Sequence, residues 1–126
     1  MSYKTDFKAA TGLGSAKDGT GHWISQRLTA MALIPLGLAF LYPFATSIGA
    51  GYSAVHQTYS HPFNALVAIG FINVLFRHLR LGLQVVIEDY VHGSHTRLAT
   101  VITNALVWRA FAVAGVFAIA KIAFGA

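Results

Sequence analysis

The second apolar segment of this chain ends in the stretch HLRLGLQVVIEDYVH, residues 78–92. The stretch places a histidine, an arginine, two acids and a tyrosine within or beside a hydrophobic run. A charged side chain at the centre of a membrane helix costs roughly 2.5–3.5 kcal/mol, so residues of this kind indicate a function or a partner. Eleven residues of α-helix make about three turns, and His78 and Asp89 therefore share one face. On that face, Gly82 leaves a notch beside the imidazole where a flat ligand could lie.

The composition of the chain indicates a membrane protein. Of its 126 residues, 56% are hydrophobic and 10% are charged, whereas soluble domains carry about 25% charged residues. Three apolar stretches each approach the ~20 residues that cross the hydrocarbon of a bilayer. The predicted fold is all-α, with three transmembrane helices that run up, down and up over about residues 28–48, 62–90 and 101–124. Residues 28–126 then form one membrane domain behind an N-terminal arm at 1–27.

The boundaries of the spans follow from helix-breaking and apolar residues. The sequence predicts an uncharged loop at residues 49–61, and Pro62 favours the first turn of the second span. Gly93 ends that span. The start of the third span is predicted between Leu98 and Ala105.

Charge and cysteine content exclude several classes of function. The formal net charge is +5, but the cations are scattered and mostly flank apolar segments, so they do not indicate nucleic-acid binding. The chain contains no cysteine, which excludes disulfides, thiolate-bound clusters and covalently attached heme. Neither a secretory signal nor a transit peptide is expected, because no apolar core precedes a cleavage site and no arginine precedes Arg27.

Lysine and arginine positions predict the orientation of the spans, because these residues concentrate in cytoplasmic segments. The first loop has none, and the second loop has Arg97. The arm and second loop should therefore face the cytoplasm, with the first loop and C-terminus outside. Asp89 and Tyr90 then lie at the cytoplasmic surface, and His78 lies about 16 Å deeper, near mid-bilayer. The cations of the arm and of the start of the first span are Lys4, Lys8, Lys17 and Arg27.

His78 is the candidate heme or metal ligand. A lone histidine in an apolar helix commonly packs without binding anything, but Arg77, Arg80 and the notch at Gly82 surround this one. One histidine cannot complete an axial pair, and the second ligand must come from another chain, since the remaining histidines lie in the arm or loops. They are His22, His56, His61, His92 and His95.

Asp89 and Tyr90 form a candidate quinone site. A phenol can donate a hydrogen bond to a carbonyl, and a neighbouring carboxylate can relay the proton that quinone reduction consumes. The alternative is that both residues only mark the membrane edge. At the start of the first span, Arg27 with His22 and Gln26 could bind heme propionates or a quinone head group. The alternative is that Arg27 only anchors the span at the cytoplasmic surface.

Three arginines within the spans have no assigned role. Arg80 points about 160° away from His78 on a helix, so it should face another subunit or extend toward the membrane surface. Arg77 and Arg109 have no interpretation from the sequence.

Two motifs resemble a known family. The pattern HxxxGxxxxxxDYVHG, residues 78–93, resembles the second helix of the smaller hydrophobic membrane anchor of succinate dehydrogenase, respiratory complex II. The stretch HWISQRLTA, residues 22–30, resembles the start of the first helix in that D-subunit type of anchor. The resemblance covers all three spans.

The resemblance implies specific roles for the candidate residues. His78 would be an axial ligand of heme b, paired with a histidine of a companion three-helix cytochrome b anchor subunit, and Arg27 and His22 would lie near the propionates. Tyr90 would bind the ubiquinone carbonyl, with Asp89 supporting proton delivery. FAD and iron–sulfur clusters would belong to a flavoprotein subunit and an iron–sulfur subunit. The chain would then be a non-catalytic anchor in a bacterial inner membrane.

Two other functions are compatible with the residues alone. A small transporter or channel subunit could line a polar path with His78, Arg77 and Arg80. An anchor of a fumarate reductase-type enzyme would carry the same sites, because one pocket serves quinone or quinol.

Overall fold

The computed structural model describes residues 15–125, which form four helices joined by short turns and contain no strand. Three of these helices are long and apolar enough to cross a membrane, at Gly19–Ser47, Pro62–Tyr90 and Ser94–Ala123. This confirms the all-α prediction with three membrane spans. In chain order the helices are α1 (Ser15–Ser47), α2 (Tyr52–Ser60), α3 (Pro62–Tyr90) and α4 (Ser94–Ala123).

Two helices extend beyond the predicted spans. α1 begins at Ser15, so its first turns include the second half of the predicted arm, and residues 1–14 lie outside the described part of the chain. α4 begins at Ser94 and passes through Arg97. Hydropathy locates the part of a helix that matches the hydrocarbon, whereas backbone hydrogen bonds continue into the polar interface. α3 has the predicted bounds.

The predicted loop between the first two spans contains α2. Gly49 and Gly51 turn the chain out of α1 with φ angles of 74° and 84°, a backbone region that favours glycine. Tyr59 of α2 is buried at 5% exposure, and its hydroxyl has no hydrogen-bond partner among the described residues. Burial raises the pKa of the Tyr59 phenol above its ordinary value. The short helix therefore packs against the bundle at the ends of α1 and α3 that the predicted first loop connects.

α3 is the central helix, with α1 on one side and α4 on the other. On the α1 side, the rings of Phe40 and Phe71 stack with centroids 4.6 Å apart. On the α4 side, Gly115 allows a close approach, because a Cβ added there would lie 3.0 Å from Cγ2 of Ile72. The side-chain amide of Asn104 donates to the backbone carbonyl of Arg80 at 3.0 Å. These contacts hold α1 and α4 in place against α3.

We expect Gly115→Val to force α4 away from Ile72 and to destabilise the chain by about 1–3 kcal/mol, as overpacking of an interface does. Ala114→Val is the matched control, because it adds bulk at an exposed neighbouring position and should change stability by less than about 0.5 kcal/mol. Thermal unfolding midpoints of the two variants in one detergent measure the difference. Equal midpoints would contradict a tight α3–α4 contact at Gly115.

Candidate functional site

The candidate site is built at the interface of α1 and α3, where His78 meets Thr29. Nδ1 of His78 lies 3.0 Å from Oγ1 of Thr29. Thr29 is buried at 8% exposure. Its hydroxyl also lies 2.9 Å from the carbonyl oxygen of Ser25 and 3.0 Å from that of Gln26. A hydroxyl carries one hydrogen and carbonyls can only accept, so the proton arrangement at His78 depends on which neighbour receives that hydrogen.

Three polar residues of α1 recur at helical spacing and face α3. His22, Gln26 and Thr29 form this stripe, since residues four and seven apart share a helix face. Nε2 of Gln26 occupies the space beside Gly82, where an added Cβ would lie 3.3 Å from it. The notch that the sequence offered to a flat ligand therefore holds the Gln26 amide.

The polar stripe has unused hydrogen-bonding capacity. Nε2 of His22 and Oε1 of Gln26 are both buried and have no partner among the described residues. Buried polar atoms are nearly always satisfied in folded proteins, so atoms left over indicate a water, a ligand or another chain. Helices α1 and α3 run antiparallel, and the pairs Thr29–His78 and Gln26–Gly82 define their register. The same register places His22 one turn further toward the end of α3 that carries Asp89.

Asp89 and Tyr90 are the last two residues of α3. Tyr90 is 76% exposed, and Asp89 is also exposed. Their neighbour Glu88 accepts a hydrogen bond from Nε2 of Gln84 at 2.8 Å, so this carboxylate is engaged within the helix. The structure thus brings His78, Gly82 and Asp89 onto one face, as predicted, and leaves the Tyr90 phenol accessible at its end.

Arg27 lies apart from the His78 contact. Its guanidinium carbon is 5.2 Å from the ring centroid of Trp23, and both residues are exposed. One residue of α-helix turns about 100°, which moves Arg27 off the face occupied by Gln26. Of the three residues predicted near this end of α1, only His22 and Gln26 face α3.

A second polar feature lies between α3 and α4. A cavity of about 480 Å³ there contains all three unassigned arginines. Arg80 reaches it from the side of α3 opposite Thr29, and Arg109 reaches it from α4. The lining residues are Asn73, Val74, Phe76, Arg77, Arg80, Trp108, Arg109 and Ala112. His78 is absent from this lining, so the arginines and the histidine do not share one polar path.

The described residues contain no group of three or more histidine, cysteine or acidic side chains that could hold a metal ion. His78 is therefore a single candidate ligand within this part of the chain. A metal held there needs its other ligands from a cofactor or from another chain.

The sequence interpretation missed two residues of these sites. Thr29 was part of a recognised motif but had no assigned role, although its spacing from Gln26 and His22 already marked a polar stripe in an apolar span. Asn104 is buried in α4 at 6% exposure and fixes the backbone beside the arginine cavity. An asparagine within an apolar span was the available signal.

Comparison with known proteins identifies the family. A family model described as "Succinate dehydrogenase/Fumarate reductase transmembrane subunit" matches residues 1–119. The chain belongs to that family. This agrees with the resemblance carried by residues 78–93 and 22–30.

Relatives of this anchor subunit span most of its length. The succinate dehydrogenase hydrophobic membrane anchor subunit of Paracoccus denitrificans is 36% identical over 126 residues, covering 100% of this chain and 97% of the relative. That of Rickettsia bellii is 30% identical over 100 residues, covering 79% and 80%. The membrane anchor subunit of Reclinomonas americana is 38% identical over 88 residues, covering 68% and 73%. No solved structure gave a significant match.

Proposed function

We propose that this anchor subunit supplies one axial ligand to a heme b and part of a ubiquinone site in succinate dehydrogenase. Its membrane spans and family place it as a transmembrane subunit. The observation that carries the cofactor proposal is the contact between His78 and Thr29. The quinone proposal rests on the exposed end of α3.

The Thr29 contact prepares His78 to bind iron. When the Thr29 hydroxyl donates to a carbonyl of its own helix, its oxygen accepts a hydrogen bond from Nδ1–H of His78. A neutral imidazole has one N–H, so Nε2 then carries a free lone pair. Ligating histidines commonly have their second nitrogen held in this way, which fixes both tautomer and ring orientation. The described residues give Nε2 of His78 no hydrogen-bond partner.

The surroundings of His78 fit a heme shared between two chains. His78 provides one ligand, and a companion cytochrome b anchor subunit would provide the opposite one. The buried, unpartnered Nε2 of His22 can donate to a propionate or quinone oxygen when that nitrogen is protonated, whereas Oε1 of Gln26 can accept from a quinol hydroxyl or a water. A bound heme would supply one-electron chemistry beside the quinone site.

Tyr90 and Asp89 suit a quinone that approaches from the lipid. The phenol of Tyr90 is an exposed donor for a carbonyl oxygen, and Asp89 next to it can accept and release a proton. Electrons would come from iron–sulfur clusters in a partner, because this chain has no cysteine to bind one. The complete complex would include the iron–sulfur subunit and the FAD-containing flavoprotein subunit.

We propose the same orientation that the cation positions predict. The N-terminus and the Asp89–Tyr90 end of α3 face the cytoplasm of a bacterium, and the C-terminus faces the periplasm. Soluble subunits then dock where the quinone site opens. The family description includes fumarate reductases, so the direction of catalysis is decided by assays with succinate and quinol.

Replacing His78 by alanine should abolish the low-spin heme spectrum of the purified complex. The ligand is lost, while the packing of α3 against α1 and α4 can still support assembly. Reduced-minus-oxidised absorbance and electron paramagnetic resonance measure the effect, and His95→Ala, at an exposed position of α4, is the control. An unchanged low-spin signal in His78→Ala would mean that another residue binds the iron.

Thr29→Val should perturb the same heme without removing its ligand. Valine keeps the shape of threonine but lacks the hydroxyl, so His78 loses the acceptor that holds Nδ1–H. Loss of such a partner commonly weakens metal binding about 10–100-fold, and we expect faster heme loss with a shifted low-spin spectrum. Thr29→Ser keeps the hydroxyl and should restore wild-type behaviour. A wild-type spectrum and heme retention in Thr29→Val would remove this role from Thr29.

Tyr90→Phe should lower quinone reduction while succinate-driven reduction of an artificial dye is retained. The change removes one hydrogen bond of about 0.5–1.5 kcal/mol, or about two- to twelvefold in rate. Tyr52→Phe is the matched control, because Tyr52 is equally exposed but lies in α2 at the opposite side of the membrane. Unaltered quinone kinetics and inhibitor sensitivity in Tyr90→Phe would leave Tyr90 as an interfacial anchor only.

Asp89→Asn should also slow quinone reduction, and it should change the pH profile of the rate. The substitution conserves size and removes a group that can carry a proton. Glu88→Gln is the neighbouring control, because the Glu88 carboxylate is hydrogen-bonded to Gln84. If the two variants have identical pH profiles, Asp89 has no special part in proton delivery.

A further inference from the structure

The cavity between α3 and α4 concentrates positive charge in the middle of the membrane spans. At 1.5 Å per residue, Arg77 and Arg109 each lie about 20 Å from both ends of their helices. Arg80 lines the same cavity one turn from Arg77. Arg77 and Arg109 are exposed on the surface of the chain, and Arg80 is half-buried. The cavity is therefore open to whatever packs against α3 and α4.

This chain has no acidic side chain at the cavity within its described residues. Its four acids are Asp6 and Asp18 near the N-terminus, and Glu88 and Asp89 at the end of α3. Glu88 and Asp89, the two acids whose side chains the structure describes, do not line the cavity, and the described residues form no ion pair with one another. Three like charges in a medium of low dielectric constant repel one another and lose their hydration. The three guanidinium groups therefore have no anionic partner among the described residues, and a neighbouring subunit can provide one.

We propose that the cavity binds a carboxylate side chain carried by a transmembrane helix of another subunit. Guanidinium groups bind carboxylates with paired hydrogen bonds, and several arginines around one site provide the required donors. The stacked rings of Phe76 and Trp108, with centroids 5.8 Å apart, give the cavity an apolar wall that can exclude lipid and water. The site then joins two subunits within the membrane.

Depth distinguishes this carboxylate from a lipid phosphate. The hydrocarbon core is ~30 Å thick, so phosphate groups lie at least about 15 Å from its centre. Arg77 and Arg109 lie at the middle of their helices, too deep for a lipid head group. A transmembrane helix can carry an acidic side chain to this level with its backbone hydrogen bonds satisfied.

The inference rests on one part of the proposed function, the presence of a second membrane subunit, and is independent of heme or quinone binding. Absence of any second membrane subunit from the purified complex would defeat the proposed function itself. The experiments below use a complex that contains that subunit, so their failure is specific to the carboxylate.

Cross-linking tests the identity of the anion directly. Arg109→Lys keeps the positive charge and introduces an amine that a membrane-permeant carbodiimide can couple to a neighbouring carboxylate. We expect an isopeptide bond between position 109 and an aspartate or glutamate of another subunit, identified by mass spectrometry, and no such product from the exposed control Arg97→Lys. An intact complex without a product at 109, or a product with a heme propionate or with Glu88 or Asp89 of this chain, would overturn the proposal.

A carboxylate supplied within the chain tests the same site without removing an arginine. Ala112 lines the cavity, so Ala112→Glu places a carboxylate among the three guanidinium groups. This carboxylate would repel the carboxylate of the other subunit. We expect recovery of the assembled complex to fall on the order of tenfold, since like charges at an interface strongly disfavour association. Ala112→Gln adds the same bulk without charge and should retain most of the assembly.

Two results of this second experiment would overturn the proposal. The first is equal recovery of the complex with Ala112→Glu and Ala112→Gln, since charge would then be irrelevant. The second is full assembly of Ala112→Glu with loss of co-purified anionic lipid, which would identify the anion as a phosphate.

Discussion

The structure depends on one constraint, which is that hydrocarbon offers no hydrogen-bond partners to polar groups. Within the spans, hydroxyls return to their own helix, as Thr103 does to the carbonyl of Ala99 at 2.9 Å. Among the described residues, two side-chain hydrogen bonds join one membrane span to another instead. Asn104 reaches the backbone of α3 at 3.0 Å, and Thr29 reaches His78 at 3.0 Å. These contacts cannot be exchanged for water, so they orient α3 against both neighbours and give a three-helix unit with little apolar core a defined arrangement.

α3 separates two kinds of chemistry because a helix turns about 100° per residue. His78 faces α1, where the Thr29 hydroxyl contacts it, and Arg80, two residues later, lies on the other side beside Arg77 and Arg109. The helix therefore presents hydrogen-bonding groups toward α1 on one side and three guanidinium groups around the cavity on the other. A transporter path through His78, Arg77 and Arg80 is disfavoured by this geometry, since the three side chains do not line a common cavity.

The sequence predicted the number of spans and the bounds of α3, because apolar length is imposed by bilayer thickness. The helices α1 and α4 begin before the predicted membrane spans, since hydropathy follows the hydrocarbon and not the backbone hydrogen bonds. Helical periodicity correctly put His78, Gly82 and Asp89 on one face. Periodicity within one helix cannot show which residue of another helix lies opposite, however. The contact of Thr29 with His78 and the position of Gln26 beside Gly82 could be seen only once α1 was packed against α3. Likewise, only the packing of α4 against α3 shows that Arg109 and Arg77 line one cavity.

The small core of this chain has a consequence for its life in the cell. Among the described residues no large side chain is fully buried, and apolar residues such as Leu38, Leu106 and Phe117 remain on the surface. Lipid can cover those residues, but it cannot satisfy the buried atoms of His22 and Gln26 or the arginines. The folded state therefore gains stability by mass action from its partners. Copies without those partners therefore lack this stabilisation and are expected to open more often.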